Sequence, residues 1–158
     1  MTNCDHYSSQ TPVMLRSCAC FHRPSWDDYF LGVALAVAAR GDCTRSQVGA
    51  VLVDDDSKRI LSTGYNGVER GKPGCLIGAC PRGTKTYSER GPGGDYSDCI
   101  GIHAEDNLIR WWVVNASLPT GPLTTYITRS PCDGCLVLLR DHRISSVVYP
   151  GGRVELEY

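Results

Sequence analysis

His103-Ala104-Glu105 and Pro131-Cys132-Asp133-Gly134-Cys135 are the two segments of this chain whose residue types suit chemistry. One imidazole and two thiolates make three zinc-type ligands, a set that leaves a tetrahedral Zn²⁺ one position free for water. An open position lets the metal activate that water, whereas four protein ligands make a structural cross-link. Glu105 supplies a carboxylate that can carry protons to and from the water. It is not expected to ligate, because a fourth protein ligand would close the site. The chemistry these residues suit is metal-assisted hydrolysis. The competing reading is a structural zinc with Glu105 an ordinary surface acid.

Such ligands need rigid elements behind them. Ser130-Pro131 is expected to open a helix, with Ser130 as N-cap, Pro131 in the first turn and Asp133 closing a capping box. Cys132 and Cys135, three apart, would then share one helix face, and the positive helix end would favour their thiolates. A second helix is expected to start near His103 and run to about Val114. Upstream, Ser25 with Asp28 reads as a capping box, and Trp26, Tyr29, Phe30, Val33 and Val37 fall at helical spacing, giving a helix to about Arg40. Residues 47–53 and 59–65 are β-rich runs joined by a polar turn, hence a hairpin. Residues 124–128 and 145–149 read as two more strands. Pro150-Gly151-Gly152 reads as a turn before a short fifth strand, pairing antiparallel and leaving no room for a further helix. This order predicts an α/β fold, a three-layer α/β/α sandwich around a mixed four- to five-stranded sheet.

The length, 158 residues, suits one domain, expected over residues 24–158 after a flexible arm at 1–23. In the arm, Cys18, Cys20 and His22 read as incidental rather than as a metal site. The formal charge is −1 and no Lys/Arg-rich block is present, which speaks against a polynucleotide track and for a small substrate. No stretch approaches the ~20 apolar residues of a membrane span, so no membrane partner is expected. No basic start followed by an apolar middle marks a secretory signal. The nine cysteines are odd in number and metal-like in spacing, which fits reduced thiols and a cytoplasmic location. Residues 67–96 turn to Gly, Pro, Cys and charge, and a loop that long is usually functional or metal-pinned.

The order H-x-E…P-C-x-x-C is also the signature of zinc deaminases that act on nucleobases. Beyond it, the chain carries Pro24-Ser25-Trp26-Asp27-Asp28-Tyr29, Cys43-Thr44-Arg45-Ser46-Gln47-Val48-Gly49-Ala50-Val51, Gly64-Tyr65-Asn66-Gly67, His103-Ala104-Glu105-Asp106-Asn107 and Val147-Val148-Tyr149. On these segments it resembles the deoxycytidylate (dCMP) deaminase family of the cytidine deaminase superfamily, over most of its length. The resemblance implies zinc-dependent hydrolytic deamination of a cytosine mononucleotide, dCMP to dUMP plus ammonia, with Glu105 as catalytic proton carrier. The alternatives are CMP or a modified cytidylate, or a nucleic-acid editing deaminase acting on tRNA adenosine or DNA cytosine. A non-enzymatic zinc module is a third reading, opposed by the intact Glu105.

The resemblance further implies substrate contacts. Asn66 would bond the sugar 3′-hydroxyl, the Ala104 N–H the pyrimidine O2, the Ser130 carbonyl the 4-amino group, and Arg45 the phosphate. The plainer readings are a turn residue for Asn66 and a solvated cation for Arg45. A second, structural Zn²⁺ on Cys43, Cys75, Cys80 and Cys99 would tether the long loop, against a plainer reading of four independent thiols. The family also implies a homo-oligomer and, in many members, regulation by deoxynucleoside triphosphates. The bulky Trp111-Trp112 pair departs from the family's small residues there.

Overall fold

Every residue of Gly49–Asp54 is buried, and so is every residue of Leu123–Ile127. Strands covered on both faces belong inside a sheet with helices on either side. The computed structural model describes residues 23–86, 88–90, 97–115, 119 and 121–157, so the expected arm lies outside the described residues apart from Arg23. The elements run α1 (Trp26–Ala38), β1 (Gly49–Asp54), β2 (Arg59–Tyr65), α2 (Pro81–Thr84), α3 (Ala104–Asn115), β3 (Leu123–Ile127), α4 (Asp133–Asp141), β4 (Ser146–Tyr149) and β5 (Gly152–Glu155). Short 3₁₀ turns at Cys75–Ile77 and Ser88–Arg90 break up the long loop.

The sheet order is β2-β1-β3-β4-β5. β1 pairs antiparallel with both β2 and β3, β3 pairs parallel with β4, and β5 closes antiparallel on β4 as expected. Alternation along the strands sends side chains to two faces. Ala50, Leu52, Leu123, Ile127 and Val147 meet Ala104, Leu108 and Ile109 of α3 and Leu139 of α4. Val51, Val53, Tyr126 and Val148 meet Phe30 and Ala34 of α1 on the other face. The result is the expected three-layer sandwich, with five strands.

Two glycines set how closely the helices lie. A Cβ on Gly49 would sit 2.1 Å from the Ala34 carbonyl oxygen, and one on Gly64 would sit 2.1 Å from the Ala104 carbonyl and 2.4 Å from the Leu108 nitrogen. Gly64 thus seats the first turn of α3, which carries Glu105, directly on β2. The same closeness explains a departure from the helical pattern read in α1. The buried residues are Phe30, Ala34 and Ala38, because only alanine fits over Gly49. Trp26 and Tyr29 are 53% and 47% exposed, with Trp26 stacked on Phe30 at 5.5 Å between ring centroids. Ser25 caps α1 as expected, accepting from the Asp28 N–H at 3.1 Å, and the helix ends at Ala38 rather than near Arg40. Of the tryptophan pair, Trp112 packs on the core and Trp111 stands exposed.

Two glycine substitutions test this seating. Gly64→Ala drives a methyl into backbone atoms that cannot turn aside, and should cost about 3 kcal/mol or more. Gly32→Ala in α1 meets nothing within 4 Å and should stabilise by up to about 1 kcal/mol. Urea midpoints of the two variants should therefore move in opposite directions.

Candidate active site

His103 lies just ahead of α3, and its carbonyl accepts from the Asn107 N–H at 3.1 Å. A two-way bridge between Gly67 and Ile102, at 3.1 and 2.7 Å, fixes the lead-in to this helix against the end of β2. On the neighbouring helix the structure corrects the expected cap. Cys132, not Ser130, is the N-cap of α4, in extended backbone at φ −83 and ψ 164, and no side chain caps the helix. Ser130 and Pro131 precede the helix, so Cys132 and Cys135 are its N-cap and third residue, with their sulfurs still together. The reason is that an N-cap side chain naturally leans over the second and third residues. A sulfur there faces Cys135, within the same donor group as His103.

His103 Nδ1 lies 3.2 Å from Cys135 Sγ and 3.6 Å from Cys132 Sγ. Tetrahedral ligands at zinc-type bond lengths of ~2.0–2.3 Å stand roughly 3.5 Å apart, so the spacing fits one Zn²⁺. Among the described residues, this is the one His/Cys/Asp/Glu group whose donor atoms all lie within 4.8 Å of one another. Burial pushes the Cys135 thiol above its ordinary range, and the neighbouring charges of Glu105 and Cys132 push it the same way. A divalent cation reverses that balance by favouring the thiolate. Glu105, only 4% exposed, sits in the first turn of α3, close enough for its charge to act on Cys135. It stays outside the donor group, which suits a carboxylate that moves protons.

The group opens into a cavity of about 820 Å³, within the usual size of a small-molecule site. All the residues assigned to substrate line it: Asn66, Ala104, Ser130 and Arg45. Asn66 is more than a turn residue. Its Oδ1 accepts from the Val48 N–H at 2.8 Å and its Nδ2 donates to the Ser46 carbonyl at 2.7 Å. Those bonds leave one lone pair and one N–H for a ligand. Arg45 is not simply solvated either. Its Nη2 donates to the carbonyls of Arg82 at 3.2 Å, Gly83 at 3.3 Å and Lys85.

Cys43, Cys75, Cys80 and Cys99 all line this cavity, but their sulfurs do not form a donor group as tight as that of His103, Cys132 and Cys135. Burial, then the adjoining Cys80 thiol, pushes Cys75 up to about 12. Cys80 moves down: burial acts upward, but the N–H groups of Ile100 and Gly83 and the thiols of Cys75 and Cys99 outweigh it. Cys80 thus has both Cys75 and Cys99 as neighbours, and Cys43 is close enough to be felt by Cys75 and Cys99.

Sequence reasoning passed over two residues. Asp42 accepts from the Leu76 N–H at 3.2 Å, and its carboxylate fills the space where a Gly74 Cβ would stand. No sequence pattern marks it. Arg129 lines the cavity with its Nη1 3.0 Å from Ser46 Oγ, and its place just before Ser130-Pro131-Cys132 was an available signal.

The family model for the cytidine and deoxycytidylate deaminase zinc-binding region matches residues 24–150. The chain belongs to this family, whose members are zinc-dependent deaminases. It is 43% identical over 137 residues to the deoxycytidylate deaminase of Mycobacterium phage D29, covering 81% of this chain and 96% of the phage protein. It is 37% identical over 131 residues to the deoxycytidylate deaminase of Schizosaccharomyces pombe, spanning 80% of this chain but only 37% of that longer protein. Among solved structures, the dCMP deaminase of cyanophage S-TIM5 in complex with dCMP and dUMP superposes with a TM-score of 0.61. That match covers 82% of this chain and 83% of the phage chain at 21% identity, a likeness of fold.

Removing a donor tests the metal assignment. His103→Ala and Cys135→Ala should each lose one equivalent of bound zinc from the purified protein by elemental analysis. Retention of full metal by either variant would exclude that residue as a ligand.

Proposed function

We propose that this protein converts dCMP to dUMP and ammonia by hydrolytic deamination. The observation that carries the reading is a buried carboxylate beside a three-donor metal group at a nucleotide-sized cavity. It occurs in a chain closely similar to nearly the whole of a deoxycytidylate deaminase. Bound by His103, Cys132 and Cys135, zinc supplies a Lewis acid that lowers the pKa of water into the neutral range.

The chain's own groups do the rest. Glu105 takes one proton from the attacking water and delivers it to ring N3 as the new C–O bond forms at C4. It takes the second proton to the 4-amino nitrogen, the C4–N bond breaks, and ammonia leaves uracil behind. The Ala104 N–H holds O2, the Ser130 carbonyl accepts from the 4-amino group, and the free amide atoms of Asn66 meet the sugar 3′-hydroxyl. The 5′-phosphate falls to the arginines at the cavity mouth, where sequence reasoning had named Arg45. Location in the cytoplasm and assembly as a homo-oligomer belong to the same reading. It is supported by the exposed Trp111, Val113 and Val114 of α3 and by the lack, among the described residues, of a helix able to cross a membrane.

Purified protein offered cytosine, deoxycytidine, CMP, dCMP and dCTP should release ammonia fastest from dCMP. Glu105→Gln should keep its zinc and lose about 10²- to 10⁴-fold in kcat. Near-wild-type turnover in that variant would exclude Glu105 as the proton carrier.

A second, structural Zn²⁺ on Cys43, Cys75, Cys80 and Cys99 is part of the proposal, supported by the nearness of Cys80 to Cys75 and Cys99, with Cys43 beside them, and by the exposure of Leu76, Ile77 and Ile100 in the described part of the loop. Metal analysis should return two zincs per chain. Cys75→Ser should remove one of them and expose the loop to protease, while His103→Ala removes the other. One zinc per chain in fully active protein would refute the second site.

A further inference from the structure

Three arginines line the cavity: Arg45, Arg82 and Arg129. Their surroundings differ. Arg45 Nη2 is held by three carbonyls of residues 82–85. Arg82 is nearly covered and lies 3.6 Å from Asp98, which also pairs with Lys85. Both therefore brace the segment around α2. Arg129, exposed like Arg45, lies beside the Ser46 hydroxyl at 3.0 Å and holds no backbone carbonyl among the described residues. A hydroxyl is a neutral partner that can turn to donate to an anion while the guanidinium keeps two parallel N–H groups for it.

We propose that Arg129, set beside the Ser46 hydroxyl at the mouth of the cavity, is the residue that selects a 5′-phosphate, and that Arg45 instead holds the loop that walls the cavity. This rests on the dCMP reading above. Ser46 connects the two ends of the nucleotide. Its carbonyl fixes Asn66 at 2.7 Å, and its hydroxyl meets Arg129. The 3′-hydroxyl and the 5′-phosphate leave one sugar ring from neighbouring carbons, so a residue gripping the phosphate must lie close to the one gripping the 3′-hydroxyl. Arg129 is also three residues before Cys132, on the tight connection from β3 to α4. A phosphate bound there has a fixed relation to the metal donors, whereas Arg45 already has its Nη2 committed to the loop's carbonyls.

The test compares wild type, Arg129→Leu, Arg129→Lys and Arg45→Leu, all zinc-loaded, on dCMP and deoxycytidine. Arg129→Leu should reduce the preference for dCMP over deoxycytidine about ten- to hundredfold, through KM more than kcat. Arg129→Lys should recover part of it. Inorganic phosphate should compete with dCMP in wild type and much less in Arg129→Leu. Arg45→Leu should instead make residues 70–86 more protease-sensitive. An equal loss on both substrates would mark Arg129 as merely structural and overturn the proposal. So would a dCMP preference that survives in Arg129→Leu but collapses in Arg45→Leu. Failure of the dCMP reading looks different: wild type itself would not prefer dCMP. In that event, loss of phosphate binding in Arg129→Leu, read by calorimetry, still decides whether Arg129 is the anion site.

Discussion

Two helix N-termini converge on one point at the end of β3, and the site depends on keeping them there. Each helix start carries a partial positive charge and unpaired N–H groups. Bringing two together is unfavourable unless negative charge lies between them. The side chains that arrive are those that can supply it: Glu105 from the first turn of α3, and Cys132 and Cys135 from the start of α4. No oxygen caps α4, so its N–H groups remain directed at the sulfur end of the site. Zinc would organise these anions, and they in turn temper its charge.

Around this point the protein divides into a half held by apolar packing and a half held by polar contacts. Behind the donors lie the sheet and the Leu108, Ile127 and Leu139 cluster, all fully buried. In front, residues 67–101 offer Leu76, Ile77 and Ile100 mostly to solvent. That segment is anchored by Asp42 on the Leu76 N–H, Arg45 on three carbonyls, Asp98 between Arg82 and Lys85, and the gathered thiols. Polar anchors of this kind open more readily than a packed core. Substrate exchange therefore has a natural side on which to occur.

The sequence disclosed what local pattern governs. The Ser25 cap, the β1–β2 hairpin, the antiparallel fifth strand and the two short segments that carry His103-Ala104-Glu105 and Cys132…Cys135 could each be read from neighbours a few residues apart. What it hid depends on partners far along the chain. Trp26 and Tyr29 have helical spacing with Phe30, but only the closeness of Gly49 decides that Ala34 and Ala38 face inward. Ser130 has every local feature of an N-cap, yet the helix starts two residues later, with Cys132 in that position. Arg45 lies in the more suggestive motif, but its carbonyl partners are 37–40 residues away, and Arg129 meets Ser46 across 83 residues. The role of a long cation is set by where its tip ends, which pattern does not record.

β5 has a consequence for how the molecule meets other copies of itself. It is the last strand of the sheet and mostly exposed. An open strand edge invites pairing with another chain. Here the strand is four residues long and carries Arg153 and Glu155. Arg153 reaches inward to Ser146 Oγ at 3.0 Å and to Asp27 at 3.4 Å, while Asp27 also accepts from the Tyr126 hydroxyl at 3.0 Å. A neighbour adding a strand here would gain few backbone bonds and would have to bury charges already committed to α1. At this edge the sheet is thereby discouraged from growing sideways into an aggregate.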